Sequence, residues 1–156
     1  MDSLGQLESV FARNCTVRRI PSDVAAAFLE RCHRLGTASC RYRYGLFVNR
    51  STGGRESALP EGTLVAVATF SSPRTMKDGS RSYEWVRYAS LPDVRVVGGM
   101  GKLMEGFVSE VHPDDIMSYA DASVSDGGVY RELGFEEEGL VCGEGFTNRK
   151  FRLKFR

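Results

Sequence analysis

The chain has 156 residues, a length that predicts one domain over 1–156 with a core that needs no staples. Its apolar fraction is 42% and its charged fraction 26%, the values of an ordinary globular protein. A net charge of +1 excludes a global field that would draw the molecule onto nucleic acid or a membrane surface.

The N-terminal stretch MDSLGQLESVFARN has an acidic residue at position 2 and no apolar run, so neither a signal peptide nor a membrane span is expected there, and the location reads as cytoplasmic by default. The first strand is predicted over Thr16 to Ile20. Ser22 is a candidate N-cap for a helix over Asp23 to Leu35, whose apolar residues Val24, Ala25, Phe28, Leu29 and Cys32 recur at helical spacing, with Gly36 as its stop. A strand lies within Arg41 to Asn49. Arg50 to Gly62 reads as an exposed loop, and Thr63 to Phe70 as a strand whose near-continuous apolar run implies cover on both faces. Pro73 and Asp78-Gly79 mark turns before the strand Tyr83 to Ser90.

Leu91-Pro92-Asp93 breaks that strand, and the glycine-rich stretch Val96 to Lys102 opens a helix read over Lys102 to Val111. A short strand over Asp115 to Ala120, a polar turn and a short helix over Gly128 to Leu133 follow. Two last strands are read over Phe135 to Cys142 and Phe151 to Phe155. In the last, Phe151, Leu153 and Phe155 are expected inward, and Arg152, Lys154 and Arg156 outward. The order β-α-β-β-β-α-β-α-β-β predicts an α/β (α+β) fold, with a mixed, mostly antiparallel central sheet and helices on both faces.

Four cysteines, Cys15, Cys32, Cys40 and Cys142, form no CxxC pair and no zinc spacing, which points to free thiols in a reducing compartment and to no metal site. The glycine-rich turn carries more chemistry. The first amides of a helix lack internal partners, the dipole is positive there, and glycine lets an anion come close. Val96, Val97, Gly98, Gly99, Met100, Gly101 and Lys102 are therefore candidate phosphate-binding residues. A Walker A loop is excluded, because no Gly-Lys-Ser/Thr follows at the right spacing. The hairpin context also argues against a dinucleotide fingerprint.

With the downstream stretch Tyr130-Arg131-Glu132-Leu133-Gly134-Phe135, the turn resembles the GNAT superfamily of acyl-CoA-dependent N-acyltransferases. That family's cofactor motif reads Q/R-x-x-G-x-G/A. Here it falls on Val96 to Gly101, with Val96 where the family prefers Gln or Arg. The resemblance implies a GNAT-like acyl-CoA acyltransferase fold, acetyl-CoA or another acyl-CoA as cofactor, and transfer of the acyl group to an amine. It implies Tyr130 as general acid. For the base it leaves Glu84 and Asp121 open.

Glu84 to Phe135 is further similar to phage-encoded GNAT-like proteins. Ser118 to Asp121 and Gly128 to Tyr130 are more distantly similar to phage Mom-type DNA-modification proteins. Three readings follow: an acyltransferase, a nucleic-acid base-modifying enzyme, and a non-catalytic binding module. The acceptor amine, whether on a small molecule, a protein or a nucleic acid, is not resolved by the sequence. Arg41, Tyr42 and Arg43, which interleave cations with aromatics, are candidate substrate contacts, and so is the C-terminal basic face.

Overall fold

Leu64–Phe70, strand β4, shows why the chain folds as it does. From Val65 to Phe70 every residue is 0% exposed. Such a strand has to lie inside a sheet with both faces covered. The computed structural model describes residues 8–49, 59–123 and 125–155. They fall into two compact units, one of residues 1–70 and 86–111, the other of 71–85 and 112–156.

The first unit begins with β1 (Glu8–Phe11), a 3-10 turn over Ala12–Asn14, and β2 (Cys15–Arg19). Helix α1 (Ser22–Cys32), β3 (Tyr42–Val48) and β4 follow. β2 pairs antiparallel with β3, and β3 antiparallel with β4. The second half of the long strand β6 (Arg81–Ser90) lies on the other side of β4, where the Leu91 N–H donates to the Val65 carbonyl at 2.9 Å. Strand β7 (Val94–Val97) pairs in parallel with β1, and helix α2 (Gly99–Val111) comes next.

The two helices cover opposite faces. Ala25, Phe28 and Leu29 of α1 pack with Ile20, Val67 and Ala89. Phe107 of α2 stacks on Phe70 with centroids 3.9 Å apart and meets Tyr42 and Tyr44 edge-on. Burying a phenylalanine contributes roughly 1.5–3 kcal/mol, and an aromatic pair adds about 0.5–1.5. No helix among the described residues is long and apolar enough to cross a membrane.

The second unit contains β5 (Arg74–Thr75), which pairs with the first half of β6. It also holds β8 (Asp115–Asp121), helix α3 (Gly128–Glu132), β9 (Glu136–Gly143) and β10 (Phe146–Lys154). β6 and β8 run parallel. They pair over three rows, Ser82↔Asp115 to Glu84↔Met117. β10 is antiparallel to both β8 and β9. Tyr83, Trp85, Ile116, Phe135 and Phe151 are buried.

Several element boundaries differ from the sequence reading. α1 stops at Cys32, because His33 leaves helical geometry at φ −108 and ψ 135. Gly36, at φ +72, closes the turn beyond it by donating to the His33 carbonyl. Pro21 rather than Ser22 occupies the N-cap position. β1 and β7 are additional strands. α2 starts at Gly99, so the glycine turn lies partly inside the helix. Phe155 is 39% exposed rather than inward. Most of the loop read over Arg50 to Gly62, residues 50–58, lies outside the described residues.

Candidate functional site

The candidate phosphate turn is a strand, a left-handed glycine and a helix. Val96 and Val97 end β7, opposite Val10 and Phe11 of β1. Gly98 sits at φ +80, a conformation that side chains disfavour. α2 then begins, and its first ladder bond runs from the Lys102 N–H to the Gly98 carbonyl at 3.1 Å. The amides of Gly99, Met100 and Gly101 precede that ladder. Gly99 has a packing reason of its own: a Cβ there would fall 2.7 Å from Val96 Cγ1 and 2.9 Å from Tyr88 Oη. The first turn of α2 carries no acidic residue, so nothing in it neutralises the positive end of the helix. Amides that precede the ladder, Lys102 and the absence of a carboxylate in that turn fit a phosphate group.

Lys102 also borders a groove of about 780 Å³ between α2 and β2, together with Arg13, Arg18 and Arg19. Gly106 lets the helix come close, since a Cβ there would lie 2.8 Å from Val17 Cγ1. Glu110 closes the far end. It accepts from Tyr44 Oη at 2.5 Å and from Arg19 Nη1 at 3.1 Å. The Tyr44 bond holds the Glu110 carboxyl below its usual range. Burial, and then the same bond, push the Tyr44 hydroxyl up.

Tyr130 occupies the middle of α3, which Gly134 at φ +99 terminates. Its ring stacks on Phe151 at 5.3 Å and meets Phe135 at 5.4 Å and Trp85 at 6.3 Å edge-on. The Tyr130 hydroxyl lies 2.8 Å from Ser118 Oγ. Ser118 Oγ in turn lies 3.1 Å from the Trp85 carbonyl. That carbonyl can only accept and Ser118 has one proton, so Ser118 donates to Trp85 and Tyr130 donates to Ser118. Burial raises the Tyr130 pKa above the ordinary tyrosine value, and the Glu84 charge adds to the rise.

The two candidate bases sit differently. Glu84 is half-buried on β6, in register with Met117 of β8, and its field reaches Tyr130. Asp121 ends β8, and its Oδ1 accepts both the Ser123 N–H at 2.9 Å and the Ser123 hydroxyl at 2.7 Å. This is an Asx turn, the local geometry in which Asp shapes the chain.

No protein-family model matches the sequence, and no curated protein matches it either. Solved structures do match. A chain of the NatC complex bound to Gag peptide and CoA superposes with a TM-score of 0.64 at 13% identity, over 92% of this chain and 99% of that one. An N-acetyltransferase from Staphylococcus aureus gives 0.63 at 14% identity, over 92% and 99%. A GNAT-family protein from Desulfovibrio desulfuricans gives 0.59 at 13% identity, over 90% and 98%. The fold is that of the GNAT acyltransferases.

Within this GNAT fold the basic residues singled out in the sequence are dispersed. Tyr42 faces α2 and meets Phe107, whereas its neighbour Arg43 faces the opposite side of the sheet. Arg41 is exposed, with its guanidinium 5.6 Å from the Tyr42 ring.

The C-terminal basic face is corrected. Arg152 does not project into solvent. It pairs with Asp115 at 2.7 Å and Glu138 at 2.8 Å and donates to Ser82 Oγ at 2.9 Å, with only 10% of its side chain exposed. Lys154 is exposed, and Arg156 lies outside the described residues. Ser118, 1% exposed, holds the Tyr130 hydroxyl. One buried polar residue was not singled out as a site candidate. Thr69 is a lone polar residue in the apolar run of β4, and that interruption was its signal in the sequence.

Proposed function

We propose that the protein is an acyl-CoA-dependent N-acyltransferase of the acetyltransferase type. The observation that carries the reading is the start of α2, where the amides of Gly99, Met100 and Gly101 precede the helical ladder, with Lys102 behind them and no carboxylate in the first turn. These amides and Lys102 are the groups to hold the pyrophosphate of acetyl-CoA or another acyl-CoA. Val96 contributes no side-chain donor there, so the grip falls on the backbone. The cofactor supplies an acyl group already activated as a thioester.

The remaining steps belong to side chains of the chain. Tyr130 keeps its proton on Oη at neutral pH, because burial and Glu84 raise its pKa, and it can give that proton to a leaving group. Ser118 fixes the direction of the hydroxyl. Glu84, whose charge reaches Tyr130, and Asp121, at the end of β8, are the two candidates to take a proton from the acceptor amine. The fold match to solved N-acetyltransferases supports this reading.

Binding to the native state raises the melting temperature in proportion to the logarithm of ligand over Kd. Millimolar acetyl-CoA should therefore raise it measurably, and native mass spectrometry should find a retained CoA species. The absence of any shift at millimolar acetyl-CoA would refute the proposal.

A further inference from the structure

Thr69 is 0% exposed, and its Oγ1 has no hydrogen-bond partner. Arg43 is its direct cross-strand partner on β3, and the buried Arg43 Nε has no hydrogen-bond partner either. Directly opposed residues place their Cβ atoms about 4.5–5.5 Å apart. Buried polar atoms are nearly always paired, because an unpaired one costs about 1–3 kcal/mol, and more when charged. Two orphaned atoms on adjacent strands mark a place built to receive an acceptor oxygen and a polar partner for a hydroxyl.

The surroundings identify the charge of that partner. Both residues face α1. Gly45, two residues along β3, sits where a Cβ would meet Ile20 Cγ2 at 3.0 Å and Leu64 Cδ1 at 2.7 Å, both part of the α1 core. Arg87 reaches the same face, with Nε donating to the Gly36 carbonyl at 2.9 Å in the turn after α1. Arg43 Nη1 donates to the Cys40 carbonyl at 3.3 Å at the end of that connection. These carbonyls are neutral. Glu30 is engaged with the Thr37 N–H at 2.7 Å. His33 has its pKa lowered, first by burial and then by Arg87 and Arg34, so the region is electropositive. Arg43, Arg87 and Cys40 are only half-buried, so part of each residue reaches solvent although Arg43 Nε does not.

We propose that Arg43 Nε and Thr69 Oγ1, with the guanidinium of Arg87 on the same face, form a binding site for an oxyanion, the carboxylate or phosphate group of the acceptor. That the oxyanion belongs to the acceptor rests on the acyl-transfer reading; oxyanion binding itself does not. One oxygen accepts from the arginine, and another accepts the threonine proton. A buried water would satisfy the hydroxyl and leave the guanidinium charge unbalanced.

The test is the melting temperature of the full chain in millimolar inorganic phosphate and, separately, in succinate, each against chloride at equal ionic strength. Wild type should shift upward with at least one of them. Phosphate alone points to a phosphorylated acceptor and succinate alone to a carboxylate. Thr69→Val and Arg43→Gln should each weaken the apparent affinity at least tenfold while keeping the wild-type response to acetyl-CoA. Thr69→Val should also melt higher than wild type without anion, because it removes an unpaired hydroxyl at nearly constant shape.

No shift with either anion overturns the proposal. So does a shift that survives both variants, or one lost only in Lys102→Ala, which would assign the anion to the start of α2. An anion shift without an acetyl-CoA shift keeps the site and removes the acyl-transfer reading.

Discussion

At the start of α2 the groups that the proposed function assigns to a ligand are backbone amides; around Tyr130 they are hydroxyls on side chains. The amides depend on a φ of +80 at Gly98 and on the missing Cβ of Gly99. The hydroxyls depend on the identities of Tyr130, Ser118 and Trp85 and on the aromatic rings that exclude water from them. A backbone-built site tolerates exchange of a neighbouring side chain, so the proposed cofactor site can carry Val96 where the GNAT motif prefers Gln or Arg. A site built from side chains has no such latitude.

The sharpest way to break this contrast is Tyr130→Phe. It removes one oxygen and keeps the ring in its cage. Turnover on a panel of amines should fall about 10²–10⁴-fold, the range for a lost general acid. The acetyl-CoA melting shift should persist. Equal turnover in the variant would show that Tyr130 only packs.

Gly99→Ala is the backbone counterpart. Its Cβ would collide with Val96 and Tyr88. The expected cost is about 1–3 kcal/mol by denaturant titration, with a smaller acetyl-CoA shift. A stable variant with an unchanged shift would mean that the turn yields without consequence.

The smallest effect is the alkaline response. The folded-state pKa of Tyr130 is raised, and that of Tyr88 is pushed up to about 12, chiefly by burial. Both are neutral acids whose native pKa exceeds the unfolded value near 10. Their contribution is therefore complete below about pH 10 and is lost as pH rises toward 12. Tyr88→Phe should flatten that decline in melting temperature, and Tyr130→Phe should flatten it too.

Much of this architecture could be read from periodicity. The apolar run of β4, the stripe of α2 and the glycine before Phe135 each announce a local structure whose cause is local. What escaped reading is pairwise. β1 and β7 are four-residue strands that exist because each finds the other far along the chain. Alternation along β10 correctly turns Phe151 inward and wrongly turns Arg152 outward, since Asp115 and Glu138 come from the two flanking strands to meet it. The glycine turn and Tyr130 were legible as motifs. The engagement of Asp121 with Ser123 and the opposition of Arg43 to Thr69 needed the register.

The complete burial of β4 also has a kinetic side. An amide exchanges its hydrogen with solvent only when an opening exposes it, and openings near an edge or a terminus cost less than global unfolding. Val65 to Phe70 have strands on both flanks and cover on both faces. Their protons should be the slowest of the chain to exchange. Their measured protection would then give the unfolding free energy of the unit that holds them, with no denaturant at all.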